Sequence, residues 1–541
     1  MLKKLRSCGK FLSLFLLCLA MTVACNNNQA ANPDNTTSTT NRIAYGTSLK
    51  PRTLDPADSY EIVGLNMIYN LGDTLYSYEL GTTNLVPQLA TAMPTISEDG
   101  LTYTIPLREG VTFHDGTPFN AEAMAFSLQR FITNGGKPSF LLADTIDSLE
   151  ATGEYELTVK LKQPFAAFTS LLAFAGACAV SPQAYEIGAG SFNPNQFVGT
   201  GPYKLAESGS DSLRLDVFAD YWGEKPENEG VDVQLYSGSS ANLFNGFRTG
   251  AVDLAYQSLE PDQIKSLLQG AQEGQWQVIE APGTAVNYLV LNRQQEPLDK
   301  VEVRQAIAAL IDRELINNRV LQGQGEPAYS LIPSAFASSQ PKFKELYGDG
   351  NMEKAKQLLS EAGYSPSNPA VIEIWYPSSS MTRSLVASTL KALADKELEG
   401  AVKFEPKSVE GATFFAKIKE GLYPAALANW YPDFLDADNY THPLVYCSQG
   451  SSSGGCEQGS AQNQGSFYYS DRINKLIDEQ RQAKNPEARE QIFAEIQKTL
   501  AEDVPYIPLW LNKEYAFAQN SVTGVKMNPS QNIPFWKISK N

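Results

Sequence analysis

The sequence predicts a mixed α/β protein built from several domains. Three observations indicate this: a length of 541 residues, strand-like alternation of apolar residues in the first part of the chain, and helix-like periodicity in the second part. A chain of this length exceeds what one ordinary hydrophobic core organises. With 43% hydrophobic and 19% charged residues, the chain has the composition of a folded protein.

The first residues have the pattern of an export signal. Four positive side chains precede an apolar run at residues 11–20 that is too short to span a bilayer; they are Lys3, Lys4, Arg6 and Lys10. The polar run that follows buries too little apolar surface to order itself. We therefore predict a signal peptide at residues 1–24 and a flexible polar tether at residues 25–40.

The end of this signal contains a candidate lipidation site at Cys25. A small residue, Ala24, stands directly before the cysteine and a polar stretch follows it, which resembles the cleavage site of bacterial lipoproteins. The resemblance implies that Cys25 becomes the lipidated first residue of the exported chain and anchors it to a membrane. That pattern prefers leucine where Thr22 stands, so ordinary signal cleavage is the alternative.

The charge of the chain argues against several classes of partner. The formal net charge is −17, and removal of the four positive residues of the signal lowers it to −21. Such a surface repels nucleic acids and anionic lipids. We therefore expect no nucleic-acid partner and no electrostatic binding to membranes.

Strands dominate the prediction from residue 42 to about 200. Apolar residues alternate at residues 101–107 and again at residues 155–161, which is the period of a half-buried strand. Between them, Asn120 has the position of a helix N-cap. The apolar face of that helix would consist of Met124, Leu128 and Phe131.

Helices dominate the second half. Asp299 and Glu302 have the spacing of a capping box before an apolar stripe, and Gly323 would end that helix. A second helix is predicted near residues 353–362, ending at Gly363. The pair Asn485 and Pro486 would begin a third helix, because proline is favoured at the first helical position. Extended segments return near residue 504.

The cysteines of the exported part predict one disulfide. Cys447 and Cys456 flank the flexible stretch "SQGSSSGG", and disulfides persist outside the cytoplasm, so we expect these two residues to pair. Cys178 lies in an apolar run and is predicted to be a buried thiol. A zinc site is a poor alternative, because the chain has two histidines, His114 and His442, and no CxxC spacing.

One short stretch, "WYPDFLDADN" at residues 430–439, has the composition of a functional site. Its carboxylates, Asp433, Asp436 and Asp438, would suit a glycoside hydrolase, which uses two acidic residues. The chain contains neither an HExxH motif nor a phosphate-binding loop. A carboxylate beside aromatic rings also suits the binding of a ligand ammonium, and a solvated loop is the third interpretation.

Several separated stretches resemble one family, the family-5 extracellular solute-binding proteins of ABC importers, which include peptide-, oligopeptide- and nickel-binding members. They occur in the order of the family and cover nearly the whole exported chain. In sequence order they are "VPQLATAMPTISEDGLTYTIPLREGVTFHDGTPFNAEAMAFSLQR", "VGTGPYKL", "NYLVLN", "LDKVEVRQAIAALIDRE" and "AKQLLSEAGY".

This resemblance implies a two-lobed periplasmic-binding-protein fold of type II, hinged around a cleft and enlarged by an inserted domain. It assigns the first lobe to residues 41–85, 200–287 and 507–541. The inserted second domain would cover residues 86–199, and the other lobe residues 288–506. His114 would then belong to the inserted domain and have a structural role.

The resemblance also assigns the ligand site. In peptide-binding members, an aspartate shortly after a tryptophan pairs with the ligand's α-ammonium, and the adjoining backbone binds the peptide like an added strand. The matching segment here assigns the ammonium to Asp433. It places ligand contacts on three preceding residues, Asn429, Trp430 and Tyr431. Tyr60 and Glu61 are expected to face them across the cleft.

One position departs from the dipeptide-binding members, some of which hold the ligand carboxylate with an arginine. At residues 375–380 this chain reads "WYPSSS" and contains no arginine, and Arg383 is expected on the following helix. The far end of the ligand is therefore expected to be unfixed, as for longer peptides, or the ligand is not a dipeptide.

The function implied is that of a substrate-binding lipoprotein, not of an enzyme. It would capture dipeptides or oligopeptides on the periplasmic or cell-surface side, as a monomer anchored by lipid, and deliver them to an ABC permease driven by separate ATPase subunits. No cofactor and no resident metal are implied. The alternatives are a carrier of another ligand such as chelated nickel, and a carbohydrate-active hydrolase that uses Asp433 and Asp436.

Overall fold

The structure is a computed structural model that describes residues 41–257 and 259–541. The predicted signal peptide at residues 1–24, the candidate lipidation site Cys25 and the predicted tether lie outside the described residues. Among the described residues, no helix combines the length and apolar character needed to cross a membrane.

The largest sheet has seven strands that come from the beginning, middle and end of the chain. From edge to edge they are Gln277–Ala281, Glu514–Ala518, Leu254–Tyr256, Ile43–Thr47, Gly230–Leu235, Ser212–Val217 and Tyr203–Ser208. Ile43–Thr47 runs parallel to both of its neighbours, and the other pairs are antiparallel. The first strand of the described chain therefore lies near the middle of this sheet.

A second sheet has six strands. From edge to edge they are Gly325–Pro327, Tyr506–Asn512, Val286–Leu291, Ala425–Trp430, Ala370–Pro377 and Val402–Val409. Ala425–Trp430 pairs along its whole length with Val286–Leu291. With Ala370–Pro377 it pairs only at Ala425 and Ala426. The strand end near Trp430 therefore has a strand partner on one side within the described chain.

The third main sheet has four strands and confirms both strands predicted in the first part of the chain. Its order is Thr95–Ile96, Thr102–Pro106, Glu156–Leu161 and Ile146–Gly153. Three two-stranded sheets complete the strands: Tyr76–Tyr78 with Leu85–Pro87, Cys447–Ser451 with Gly455–Gly459, and Val522–Thr523 with Ser539–Lys540.

The helices pack on and between these sheets. In chain order the α-helices are Ile62–Leu71, Ala121–Thr133, Phe140–Ala143, Phe168–Leu171, Ser240–Arg248, Pro261–Gln272, Val301–Leu310, Arg313–Arg319, Lys342–Tyr347, Met352–Glu361, Met381–Glu397, Gly411–Ile418, His442–Val445, Ser460–Asn463, Asp471–Gln482 and Pro486–Asp503. The 3₁₀-helices are Ala175–Ala177, Ala437–Tyr440 and Phe535–Lys537.

Two predicted helix starts are confirmed and one is wrong. The side chains of Asn120 and Asn485 each accept a hydrogen bond from a backbone N–H in the first turn of their helix. The predicted capping box at Asp299 does not form, because Val301–Leu310 begins after Lys300 without a side-chain cap. The single helix predicted up to Gly323 is divided into two helices, Val301–Leu310 and Arg313–Arg319. The second begins at Asp312, whose side chain accepts a hydrogen bond from the backbone N–H of Leu315.

The last crossing between the two large sheets comes at Lys513. Tyr506–Asn512 belongs to the six-stranded sheet, and Glu514–Ala518 belongs to the seven-stranded sheet. The sequence prediction begins the last segment of the first lobe at residue 507, which lies inside the strand Tyr506–Asn512 of the six-stranded sheet. The domain limits themselves stay a prediction.

The described cysteines adopt two states. Cys447 and Cys456 form a disulfide with an S–S distance of 2.06 Å, which links the two strands of a small hairpin. Cys178 is a free, buried thiol that packs in the core of the seven-stranded sheet, as predicted.

Candidate functional site

Two cavities adjoin at Tyr431, and each is lined by segments from both large sheets or their connections. The Asp433 cavity has a volume of about 380 Å³ and is lined by residues near 60–65, 173–175, 431–435 and 530–532. The Arg383 cavity has a volume of about 360 Å³ and is lined by residues near 257–264, 380–383 and 510–515. Both volumes lie in the range of small-molecule sites.

Asp433 follows the end of a central strand. The chain leaves the six-stranded sheet at Trp430, and the loop after it is held by Asn439. The side-chain oxygen of Asn439 accepts from the indole N–H of Trp430 at 3.2 Å and from the backbone N–H of Asp433 at 2.9 Å. One buried amide thus fixes the turn that presents Asp433 to the cavity.

The hydroxyl of Tyr60 donates a hydrogen bond to a carboxylate oxygen of Asp433. Burial raises the pKa of Asp433, and the hydrogen bonds from Tyr60 and Asn439 act in the opposite direction. Among the described residues, no cationic side chain lies within ion-pair distance of this carboxylate. Asp433 is therefore a partly buried acceptor that lacks a positive partner in the described part of the chain.

The segment before Tyr60 is fixed by a buried ion pair. Asp55 and Arg130 have side-chain exposures of 0% and 1%, and their two hydrogen bonds measure 2.8 and 2.6 Å. Arg130 lies on the helix Ala121–Thr133, within the predicted inserted domain. The pair therefore joins the Tyr60 segment to that helix.

Glu61 lines the Asp433 cavity but is engaged by two cations. Its carboxylate accepts from Arg52 at 3.1 Å and from Lys137 at 3.3 Å. The structure thus brings the predicted residues Tyr60, Glu61 and Asp433 together around one cavity. Of the two carboxylates, Asp433 is the one without a cationic partner in the described chain.

The other two aspartates of the acidic stretch hold the loop in place. Arg489 donates to both oxygens of Asp436 at 2.7 and 2.8 Å. Asp438 is fully buried and accepts from Arg481 at 2.9 and 2.7 Å. Arg489 thus occupies both oxygens of Asp436, the carboxylate that the hydrolase alternative combines with Asp433.

Of the three residues predicted to contact the ligand just before Asp433, two line the cavities and one does not. Tyr431 lines both cavities and Asn429 lines the Arg383 cavity. Trp430 packs against the hydrophobic core on one face of the six-stranded sheet, and its N–H is used by Asn439. The structure therefore places Asn429 and Tyr431 at the cavities and Trp430 behind their wall.

Arg383 is the functional candidate that the sequence prediction set aside. Ser380 caps the helix Met381–Glu397, which puts Arg383 in the first turn, and its guanidinium donates to the side chain of Asn429. Burial lowers the pKa of Arg383. Arg383 lies on the helix that follows residues 375–380, as predicted, and its place in the first turn brings it to the cavity. The sequence signal for this position is Ser380, a residue type that favours an N-cap, three residues before Arg383, which places the arginine in the first turn of the helix.

Glu514 is a second residue that sequence reasoning missed. It begins the strand Glu514–Ala518 and lines the Arg383 cavity. Burial raises the pKa of Glu514 to about 7. A single glutamate at the start of a strand gives no sequence signal for this position.

The two histidines lie elsewhere. His114 bonds to the backbone carbonyl of Gly201 and packs on Phe218, in line with its predicted structural role. His442 stacks on Tyr446. Within the described ranges, no group of three or more His, Cys, Asp or Glu side chains has the arrangement of a metal site.

The charges of the two cavities define what they can bind. Asp433 supplies an unpaired negative group to one cavity, and Arg383 supplies a positive group to the adjoining one. A ligand with an ammonium at one end and a carboxylate at the other would satisfy both groups, since each desolvated charge gains a charge-assisted hydrogen bond. The site thus has the polarity of an amphoteric small molecule.

Comparison with known proteins agrees with this architecture. The chain is 27% identical over 497 residues to the probable D,D-dipeptide-binding periplasmic protein DdpA of Escherichia coli strain K12, covering 90% of this chain and 92% of the relative. Among solved structures, HbpA2 from Haemophilus parasuis superposes with a TM-score of 0.80 at 24% identity, covering 93% of this chain and 100% of that one.

A third comparison includes a bound ligand. The periplasmic binding protein DppA from Helicobacter pylori, in complex with the peptide STSA, superposes with a TM-score of 0.72 at 25% identity, covering 92% of this chain and 98% of that one. The predicted multidomain α/β fold is confirmed by these superpositions. The family model for the middle region of bacterial extracellular solute-binding proteins, family 5, matches residues 84–452. Because this match spans well over half of the chain, the protein belongs to the family-5 bacterial extracellular solute-binding proteins.

Proposed function

We propose that this protein captures peptides with free ends in the two adjoining cavities and delivers them to an ABC importer. One observation carries the proposal: Asp433 and Arg383 have opposite charges, line adjoining cavities and have no ion-pair partner among the described residues. A peptide supplies the missing partner of each, an α-ammonium and an α-carboxylate.

The amino end of the peptide would bind Asp433. One carboxylate oxygen accepts from Tyr60, and the other is available to an ammonium. In a desolvated place such a charge-assisted bond is stronger than in water, and Tyr431 offers an aromatic ring that contributes on the order of 0.5 to 2 kcal/mol to cation binding. This end would be common to every peptide ligand.

The carboxyl end would bind Arg383, whose guanidinium forms paired bonds with a carboxylate. Between the ends, the peptide backbone would follow the strand that contains Asn429. From Asn429 onward this strand has a partner on one side only within the described chain, so its other edge is open to an added strand. Side chains of the ligand would then contribute to selectivity more than to basic affinity.

The relatives support a peptide ligand through their own names. A D,D-dipeptide is named for the Escherichia coli relative, and the Helicobacter pylori structure contains a peptide of four residues, STSA. The described histidines lie outside both cavities, which argues against capture of a bare metal ion. A chelated metal brings its own ligands, so chelated nickel is the alternative ligand.

The transport role involves a population shift between open and closed lobes. A ligand favours closure only to the extent that it binds the closed state more tightly, so contacts from both lobes are needed. Tyr60 and Asp433 supply such contacts from the two sides of one cavity. The loaded protein would be a monomer, anchored on the periplasmic or cell-surface side of the membrane through lipidated Cys25. It would then dock on a permease, and separate subunits would hydrolyse ATP.

Calorimetry with trialanine tests the ligand class. Binding is expected for the free peptide and strong loss for its N-acetylated and C-amidated forms, because each block removes one charged end. Equal binding of all three forms would contradict the proposal, and native mass spectrometry of the purified protein would reveal a bound peptide directly.

Mass spectrometry of the exported protein tests the anchor: an unmodified N-terminus would contradict lipidation of Cys25.

A further inference from the structure

Glu514 is a carboxylate in the Arg383 cavity that the binding of two peptide ends leaves unused. Its hydrogen bond in the structure comes from the side-chain amide of Gln531, at 3.2 Å to one oxygen. Among the described residues, no lysine or arginine lies within ion-pair distance of it. The group thus retains acceptor capacity toward the cavity that it lines.

The neighbouring charges do not neutralise Glu514. Lys513, the residue before Glu514, forms an ion pair with Glu280 at 2.9 Å. The titratable groups that interact with Glu514 are the phenols of Tyr256 and Tyr431, which are neutral donors or acceptors. Arg383 interacts with Tyr431 as well, so this phenol lies between the positive and the negative group of the cavity.

The walls between these charges include apolar side chains. Leu259, Ile264 and Leu321 line the same cavity, together with the ring of Trp510. A long aliphatic side chain with a charged tip buries its methylene groups on such a wall and keeps the tip for a polar partner. The cavity therefore offers an apolar path that includes an unpaired carboxylate.

We infer that Glu514 forms a subsite for a cationic side chain near the carboxyl end of the bound peptide, such as that of lysine, ornithine or arginine. The inference rests on the proposed function, in which Arg383 holds the carboxylate in the same cavity. A bound cation would keep the side chain of Glu514 ionised. Without a cation, burial raises the pKa of Glu514 to about 7. The protein would thus favour peptides with a basic residue at or next to the carboxyl terminus.

Matched tripeptides test the inference. The probes are trialanine variants with lysine or norleucine at the second or third position, because norleucine has a similar aliphatic chain without the ammonium. Calorimetry at pH 7.5 is expected to show that the wild-type protein binds the lysine form at one of these positions about tenfold more tightly, as a charge-assisted hydrogen bond provides. In Glu514→Gln this preference should disappear, because the glutamine side chain offers the lysine ammonium no negative charge.

The outcomes separate this inference from the proposed function. Equal affinity for lysine and norleucine peptides at both positions in the wild type, or a preference that persists in Glu514→Gln, would overturn the role of Glu514 alone. If none of the tripeptides binds to the wild type, the proposed peptide ligand is contradicted as well. The wild-type comparison needs no substitution, so equal affinities would overturn the inference even if the variant fails to fold.

Discussion

The hydroxyl of Tyr60 donates to the carboxylate of Asp433, and these residues are 373 positions apart in the chain. Tyr60 precedes the helix Ile62–Leu71, and Asp433 follows a strand of the six-stranded sheet. The contact bridges the two sides of the Asp433 cavity where we propose that the peptide ammonium binds. Tyr60 therefore tunes the carboxylate to which we assign the peptide ammonium.

Substitution Tyr60→Phe should move the pH dependence of peptide binding upward. Burial raises the pKa of Asp433, and the Tyr60 hydrogen bond opposes that rise, so its removal raises the pKa further. The ammonium binds the ionised carboxylate, and affinity is therefore lost as pH falls through this pKa. Calorimetry from pH 4 to pH 8 should show the loss beginning at higher pH in the variant, and superimposable profiles would contradict the tuning role.

Substitution Asp433→Asn should abolish binding of trialanine or weaken it at least about a hundredfold. The variant keeps the size of the side chain but leaves the peptide ammonium desolvated without a negative partner, which costs several kcal/mol. Calorimetry measures the loss. The control is Asp147→Asn, which should leave the affinity unchanged, because Asp147 is a half-exposed carboxylate on the four-stranded sheet. Unchanged affinity in Asp433→Asn would refute the assignment of the ammonium to Asp433.

Local features of the sequence predicted local structure well. Asn120 and Asn485 cap helices as expected, because an N-cap depends on a few neighbouring residues. The capping box predicted at Asp299 does not form, because the helix begins one residue later, after Lys300, and has no side-chain cap. The helix also ends sooner than predicted, since Asp312 caps a second helix.

The cavity residues were predictable only in part. The resemblance to a family pointed to Asp433 and to Tyr60 opposite it, but side-chain contacts between distant segments leave no periodic signal. Arg383 reaches Asn429 across 46 residues, and Glu514 reaches Gln531 across 17. Both contacts depend on tertiary packing between elements that are not neighbours in the chain, which the order of elements does not reveal.

Substitution Arg383→Gln should lower the affinity for trialanine by about a hundredfold. Its effect on C-amidated trialanine should be small, because the interaction with the carboxylate is already missing from that ligand. The four affinities form a double-mutant cycle, whose coupling energy isolates the bond between Arg383 and the carboxylate. Additive effects of the variant and the amide would contradict the assignment of the carboxylate to Arg383.

Substitution Asp438→Asn should destabilise the protein by about 2 to 4 kcal/mol at pH 7. Asp438 is fully buried, and its loss leaves Arg481 without its ionic partner. Burial alone would raise the pKa of Asp438, but Arg481 outweighs it and the pKa is lowered. Its contribution is therefore present at neutral pH and lost in acid. Denaturant unfolding at pH 7 measures the cost, and a change below about 0.5 kcal/mol, the size expected for an exposed site, would contradict it.

Substitution Glu514→Gln should stabilise the unliganded protein at pH 8 and have little effect at pH 4. Burial raises the folded-state pKa of Glu514 from 4.5 to about 7, so the folded protein holds a proton that the unfolded chain releases. Stability therefore falls as pH rises between these values, by about 3 kcal/mol at most, and glutamine removes that loss. Thermal unfolding of both proteins should show stabilities that coincide near pH 4, diverge as pH rises from 4.5 to about 7 and stay apart above that. Parallel curves would mean that folding does not raise the pKa of Glu514, and they would contradict this prediction. A lysine-containing peptide should reduce the separation, because its ammonium stabilises the ionised carboxylate of the wild type alone.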